Sequence, residues 1–138
     1  MIDNGPTMWD TLVGKEPGWL FVEFPEFTSV WKSYFLDDPD YAAFQSALAV
    51  APESGDLMPG CGGLRKVRWA EARRNKGKRG GLRIVYQVVP AVRVIVLVDV
   101  YDKNEADDLS AAEKKTLSRL ARAVERELID RMKKRGPE

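Results

Sequence analysis

The chain has 138 residues, 44% hydrophobic and 31% charged, with four Trp, one Cys, no His and a formal net charge of +1. That length suits one domain with a single core. Without His there is no imidazole base and no His-ligated metal, and one Cys allows neither an internal disulfide nor a thiolate zinc cage. A reducing, cytoplasmic setting fits, and no cofactor or metal is expected.

In chain order, residues 1–18 read as a poorly ordered lead-in, interrupted by Gly5-Pro6 and Pro17-Gly18, and residues 19–138 as one domain. The lead-in has no basic start followed by an apolar block, so it is not read as a secretory signal. No run of 18 apolar residues predicts a membrane span. "WLFVEF" (19–24) is a short apolar strand. Pro25 then opens a helix in which Phe27, Val30, Trp31, Tyr34 and Phe35 recur at three and four spacing. Such a stripe could stack on bases, but its helical period assigns it to core packing. Asp38-Pro39 restarts a second helix through Tyr41, Phe44, Leu48 and Ala51.

"LRKVRWA" (64–70) is the next strand, with Val67 and Trp69 on one face and Lys66 and Arg68 on the other. "LRIVYQVV" (82–89) and "VRVIVLVDVY" (92–101) follow. The latter is apolar on both faces and is expected at the sheet centre. Pro90-Ala91 predicts a tight turn and antiparallel pairing between the two. Ser110 and Glu113 form a capping box for a last helix whose stripe is Leu117, Leu120, Ala121, Val124, Leu128 and Met132. Its "RMKKR" end complements the helix dipole. The expected fold is α+β: strand, two helices, three antiparallel strands and a C-terminal helix, with the helices on one face of a small antiparallel sheet.

Charge is unevenly placed along this order. Residues 1–59 hold two basic and ten acidic side chains, residues 60–83 nine basic and one acidic, and residues 84–138 eleven and ten. The near-neutral total hides a local excess of +8, the footprint of a polyanion partner. Lys66 and Arg68 give a charged strand face, and Arg83 joins it if the hairpin register allows, which sequence does not fix. "NKGKRGG" (75–81) lacks the phosphate-loop pattern and a following helix, so it reads as a basic hairpin tip. The candidate polyanion-binding residues are Arg65, Arg73, Arg74, Lys76, Lys78 and Arg79, the last five suited to backbone phosphates.

The succession "GGLRKVRWA", a basic loop, "GGLRIVYQV" and "VYDKNEADDLSAAEK" resembles the HigB-type branch of the RelE superfamily, the toxins of type II toxin–antitoxin systems. The resemblance covers about residues 19–125, including element order. It implies a RelE/ParE-like fold and a ribosome-dependent endoribonuclease, an mRNA interferase that arrests growth. Its partners would be messenger RNA on the 70S ribosome and a cognate helix-turn-helix antitoxin, with no membrane. The family's paired basic residues fall on Lys66 and Arg68, its next arginine on Arg83, and a later basic residue on Lys103. A tyrosine that some members carry falls at Leu109, so Tyr101 and Tyr86 are the nearest tyrosines.

RNA carries its own nucleophile, the 2′-OH, so cleavage needs a base, charge stabilisation at phosphorus and an acid for the leaving 5′-oxygen. Positive neighbours disfavour the charged form of a lysine, which makes Lys66 beside Arg68 the candidate base. Arg68 and Arg83 suit planar contact with phosphate. Lys103 or Tyr101 would serve the leaving group or hold the RNA. Two other readings stay open: a non-enzymatic ParE-like toxin that binds a protein such as gyrase, and a plain nucleic-acid-binding module.

Overall fold

The computed structural model describes residues 15–16, 18–34, 38–69, 81–102 and 110–135. Within these, the chain forms β1 (Lys15–Glu16), β2 (Trp19–Glu23), α1 (Pro25–Tyr34), α2 (Asp38–Val50), β3 (Asp56–Leu57), β4 (Arg65–Trp69), β5 (Leu82–Val89), β6 (Val94–Asp102) and α3 (Ala111–Arg135). The six strands make one sheet in the order β1-β2-β6-β5-β4-β3. The fold is α+β, and its main elements follow the expected order. Among the described residues, no helix is long and apolar enough to cross a membrane.

Two expectations about the sheet are corrected. It is mixed, because β2 runs parallel to β6, with Phe21 opposite Ile95 and Val22 opposite Val96. The helices also lie on both faces. On one face, Phe27 of α1 and Tyr41, Phe44 and Leu48 of α2 pack with Phe21, Ile84, Tyr86, Ile95 and Leu97. On the other, Ala121, Leu117, Val124 and Leu128 of α3 pack with Val85, Val89, Val94 and Val96. A strand apolar on both sides needs cover on both, and β6 has it: Val94 through Val98 are all buried.

Local chemistry explains the elements. Pro25 starts α1, and Phe27, Val30, Trp31 and Tyr34 turn inward, with Trp31 stacked on Tyr41 at 4.3 Å between ring centroids, while Phe35 lies outside the described residues. The capping box of α3 closes as expected: Glu113 N donates to Ser110 Oγ at 3.1 Å and Ser110 N to Glu113 Oε1 at 2.8 Å. The β5–β6 turn is a single 3-10 turn over Pro90–Val92, closed by Arg93 in a left-handed conformation with φ 54°. The Arg93 guanidinium donates back to the Gly18 carbonyl and lies over the Trp19 ring at 4.8 Å, tying the turn to the start of β2.

Candidate active site

The register of β4, β5 and β6 decides which basic groups meet. Arg68 lies opposite Arg83, and Arg83 opposite Tyr101. Residues directly opposite in an antiparallel pair point to the same face. Arg68, Arg83 and Tyr101 therefore form one row across the sheet. Two residues along, Asp56, Lys66, Val85 and Asp99 form the next row. The structure thus joins Arg83 to Lys66 and Arg68, and brings Tyr101 beside them.

This cluster lies on the α3 side of the sheet, where Arg83 alternates with Val85, Gln87 and Val89 along β5. Val85 and Val89 pack into the cluster that carries Leu117 and Ala121 of α3. A cavity of about 510 Å³ is lined by Lys66, Arg68, Arg83, Val67, Ser54, Gly55 and Asp56. Lys66 is half-buried, Arg68 exposed, and Arg83 buried at 8% exposure. One Arg83 Nη donates to the Gly81 carbonyl at 3.2 Å. Arg68 and Arg83 form no ion pair with a described residue. Like charges directly across a strand pair destabilise the sheet, and a buried cation without a counter-ion is costly. An anion held between them relieves both terms.

The rim of the cavity is held from the opposite face. Tyr86, fully buried, donates its hydroxyl hydrogen to the Pro52 carbonyl at 2.7 Å and accepts from Gly55 N at 2.9 Å. Arg65 Nη1 donates to the carbonyls of Gly55 at 2.8 Å and Glu53 at 3.2 Å. Arg65 lies opposite Tyr86 and so faces away from Lys66. It is not brought together with the other basic residues; its guanidinium braces the 52–55 turn instead. Trp69 belongs to the core, edge-on to Phe44 at 5.5 Å, with Nε1 donating to Asp40 Oδ1 at 3.2 Å.

Of the remaining candidates, Lys103, Arg73, Arg74, Lys76, Lys78 and Arg79 lie outside the described residues. Four lining residues are absent from the sequence-based set: Val67, between the two basic residues of β4, and Ser54, Gly55 and Asp56. The stretch "PESGD" reads as a helix stop, and only the short β3–β4 pairing, with Asp56 opposite Lys66, turns it toward the cavity. Asp56 gives Lys66 a carboxylate neighbour in its own row, while Arg68 sits two residues along the same strand face.

The arrangement can hold a phosphodiester by two guanidiniums, with an amine alongside and a phenol at the far end of the guanidinium row. No protein-family model matches the sequence.

Proposed function

We propose that the chain is a toxin of a type II toxin–antitoxin system, of the HigB-type branch of the RelE superfamily, acting as a ribosome-dependent endoribonuclease on messenger RNA. The observation that carries this reading is the shared row of Arg68, Arg83 and Tyr101 with Lys66 in the next row, together with the open cavity that Lys66, Arg68 and Arg83 line. Three neighbouring strands, β4, β5 and β6, hold these groups, which favours precise placement.

In this reading Lys66 takes the 2′-OH proton, and the 2′-oxygen attacks phosphorus. Arg68 and Arg83 stabilise the extra negative charge of the phosphorane. Tyr101, or Lys103, serves the departing 5′-oxygen. The products are a 2′,3′-cyclic phosphate and a free 5′-hydroxyl, so no water and no metal are consumed in the step. A helix-turn-helix antitoxin would neutralise the activity by closing access to the basic cavity.

Induced expression in a bacterial host, with RNA ends mapped genome-wide, tests the proposal. The expected result is growth arrest with new 5′-hydroxyl ends inside translated messages, both abolished by Arg68→Ala. Growth arrest with intact messages would instead favour the gyrase-type toxin. Normal growth would favour a plain nucleic-acid-binding module.

A further inference from the structure

The outward face of α3 carries charge that the active-site reading does not use. Lys115, Arg119, Arg122, Arg126 and Lys133 recur at i, i+4, i+7, i+11 and i+18. At about 100° per residue these five fall within an arc of about 60°. The stripe that packs on the sheet, Leu117, Ala121, Val124 and Leu128, lies on the opposite side of the helix. All five cations are exposed, and none forms an ion pair or side-chain hydrogen bond with a described residue. The one ion pair described within α3, Glu127–Arg131 at 2.7 Å, lies off the stripe.

A helix face that is merely solvated mixes its signs so that i,i+3 and i,i+4 neighbours attract. Here three successive neighbours, Lys115–Arg119, Arg119–Arg122 and Arg122–Arg126, repel. Asp130, the nearest acid on α3, lies about 20° beyond this arc, so the stripe itself carries one sign.

We propose that this stripe is a docking rail for the phosphate backbone of structured RNA, separate from the Lys66–Arg68–Arg83 cavity. It rests on the RNA-directed reading above and extends it from the cleavage site to a holding surface. From Lys115 to Lys133 the stripe spans about 27 Å at 1.5 Å per residue, with its first four cations spaced about 4.5–6 Å apart. Three of the five are arginines, whose planar fork suits phosphate. A membrane surface is the poorer fit. The apolar side of α3 is already covered by the sheet, and the exposed Leu120 and Met132 lie well round the helix from the stripe.

The test uses the full chain and a 2′-O-methyl RNA duplex, which lacks the nucleophile and cannot be cleaved. Affinity is followed by fluorescence anisotropy across a salt series for wild type and for Lys115→Gln, Arg119→Gln, Arg122→Gln and Arg126→Gln combined. Gln keeps helix propensity, and circular dichroism checks that α3 is intact. The expected result is weaker binding and a slope of log affinity against log salt shallower by about 3. Arg119→Lys, Arg122→Lys and Arg126→Lys combined, which keep the charge, should retain most of the slope. An unchanged slope in the Gln variant overturns the rail. So does an equal loss of binding to phosphatidylserine vesicles or to polyglutamate, which would make the stripe a general anion surface. Because the probe is uncleavable, the two readings fail separately. A shallower slope with no cleavage of any message upholds the rail and sinks the nuclease. Cleavage with an unchanged slope does the reverse.

Discussion

Tyr86→Phe removes one oxygen from the fully buried centre of β5 and leaves every apolar contact in place. The lost hydroxyl serves two backbone groups: it accepts from Gly55 N and donates to the Pro52 carbonyl. The Gly55 N–H is buried and would be left unpaired, while the part-buried Pro52 carbonyl can regain water. A buried donor without a partner costs about 1–3 kcal/mol, so the expected loss is about 2 kcal/mol. For a domain of this size that is a fall in melting temperature of about 7 °C. The protein stays folded at room temperature, yet the turn bearing Ser54, Gly55 and Asp56 loses its anchor at the cavity rim. Urea unfolding at pH 7, read by tryptophan fluorescence, measures the first effect. Cleavage rate on translated message measures the second, and it should fall by more than the folded fraction does. A stability loss under about 0.5 kcal/mol would refute the argument, because it would mean that the two hydrogen bonds do not hold the turn.

Further expectations concern the charged row, the β3–β4 loop and alkaline pH. Arg83→Met keeps the side-chain stem but removes a buried cation, so toxicity should be lost while the melting temperature stays equal or rises. Inorganic phosphate should stabilise the wild type by relieving the Arg68–Arg83 repulsion, by about 2.7 kcal/mol at one hundred times its dissociation constant, and should do so much less for Arg68→Ala; thermal shift assays read both. Gly62→Ala should cost about 2 kcal/mol or more, because φ is +71° there and an added Cβ would meet the Ser118 Cα of α3 at 2.9 Å. Burial pushes the phenols of Tyr41 and Tyr86 above their ordinary value, and the Glu23 carboxylate raises Tyr41 further. Stability from these two tyrosines is therefore fully present below pH ~10 and is lost as pH rises above it, since the unfolded chain releases the protons first. An alkaline unfolding series should show this decline, and Tyr41→Phe should make it shallower.

The parts of the fold legible in the sequence are those with one clear period. The aromatic spacing of α1 and α2, the capping box of α3 and the two-sided apolar run of β6 all predict what forms. The covering of both sheet faces is less legible, for a reason visible in β5. On its α3 face that strand reads Arg83, Val85, Gln87, Val89, so polarity changes along one face rather than between faces. Arg83 predicts an open face. Val85 and Val89, together with Val94 and Val96 of β6, require a cover, and α3 supplies it over that part alone. The parallel β2–β6 pairing is a contact across some 70 residues of chain, and neither strand carries a local signal for it.

The candidate site divides in the same way. Strand parity alone puts Lys66 with Arg68, but Arg83 joins them only through the β4–β5 register. The same parity puts Arg65 on the opposite face, where it braces the turn behind the cavity. Asp56 is invisible to pattern reading because β3 is two residues long and has no periodicity of its own.

The central claim is that the Lys66–Arg68–Arg83–Tyr101 cluster cuts messenger RNA with the ribosome's help. Without His the cluster can grip phosphate better than it can orient the 2′-OH, and orientation is worth roughly 7–11 kcal/mol in such reactions. The direct measurement is primer extension on one message with purified protein, with and without translating 70S ribosomes, at matched salt. The account predicts rapid cuts at ribosome-set positions, slow cleavage of the naked message, and loss of both in Arg68→Ala and Arg83→Met. Fast cleavage of naked RNA would contradict ribosome dependence, and cuts that persist in both variants would contradict the site.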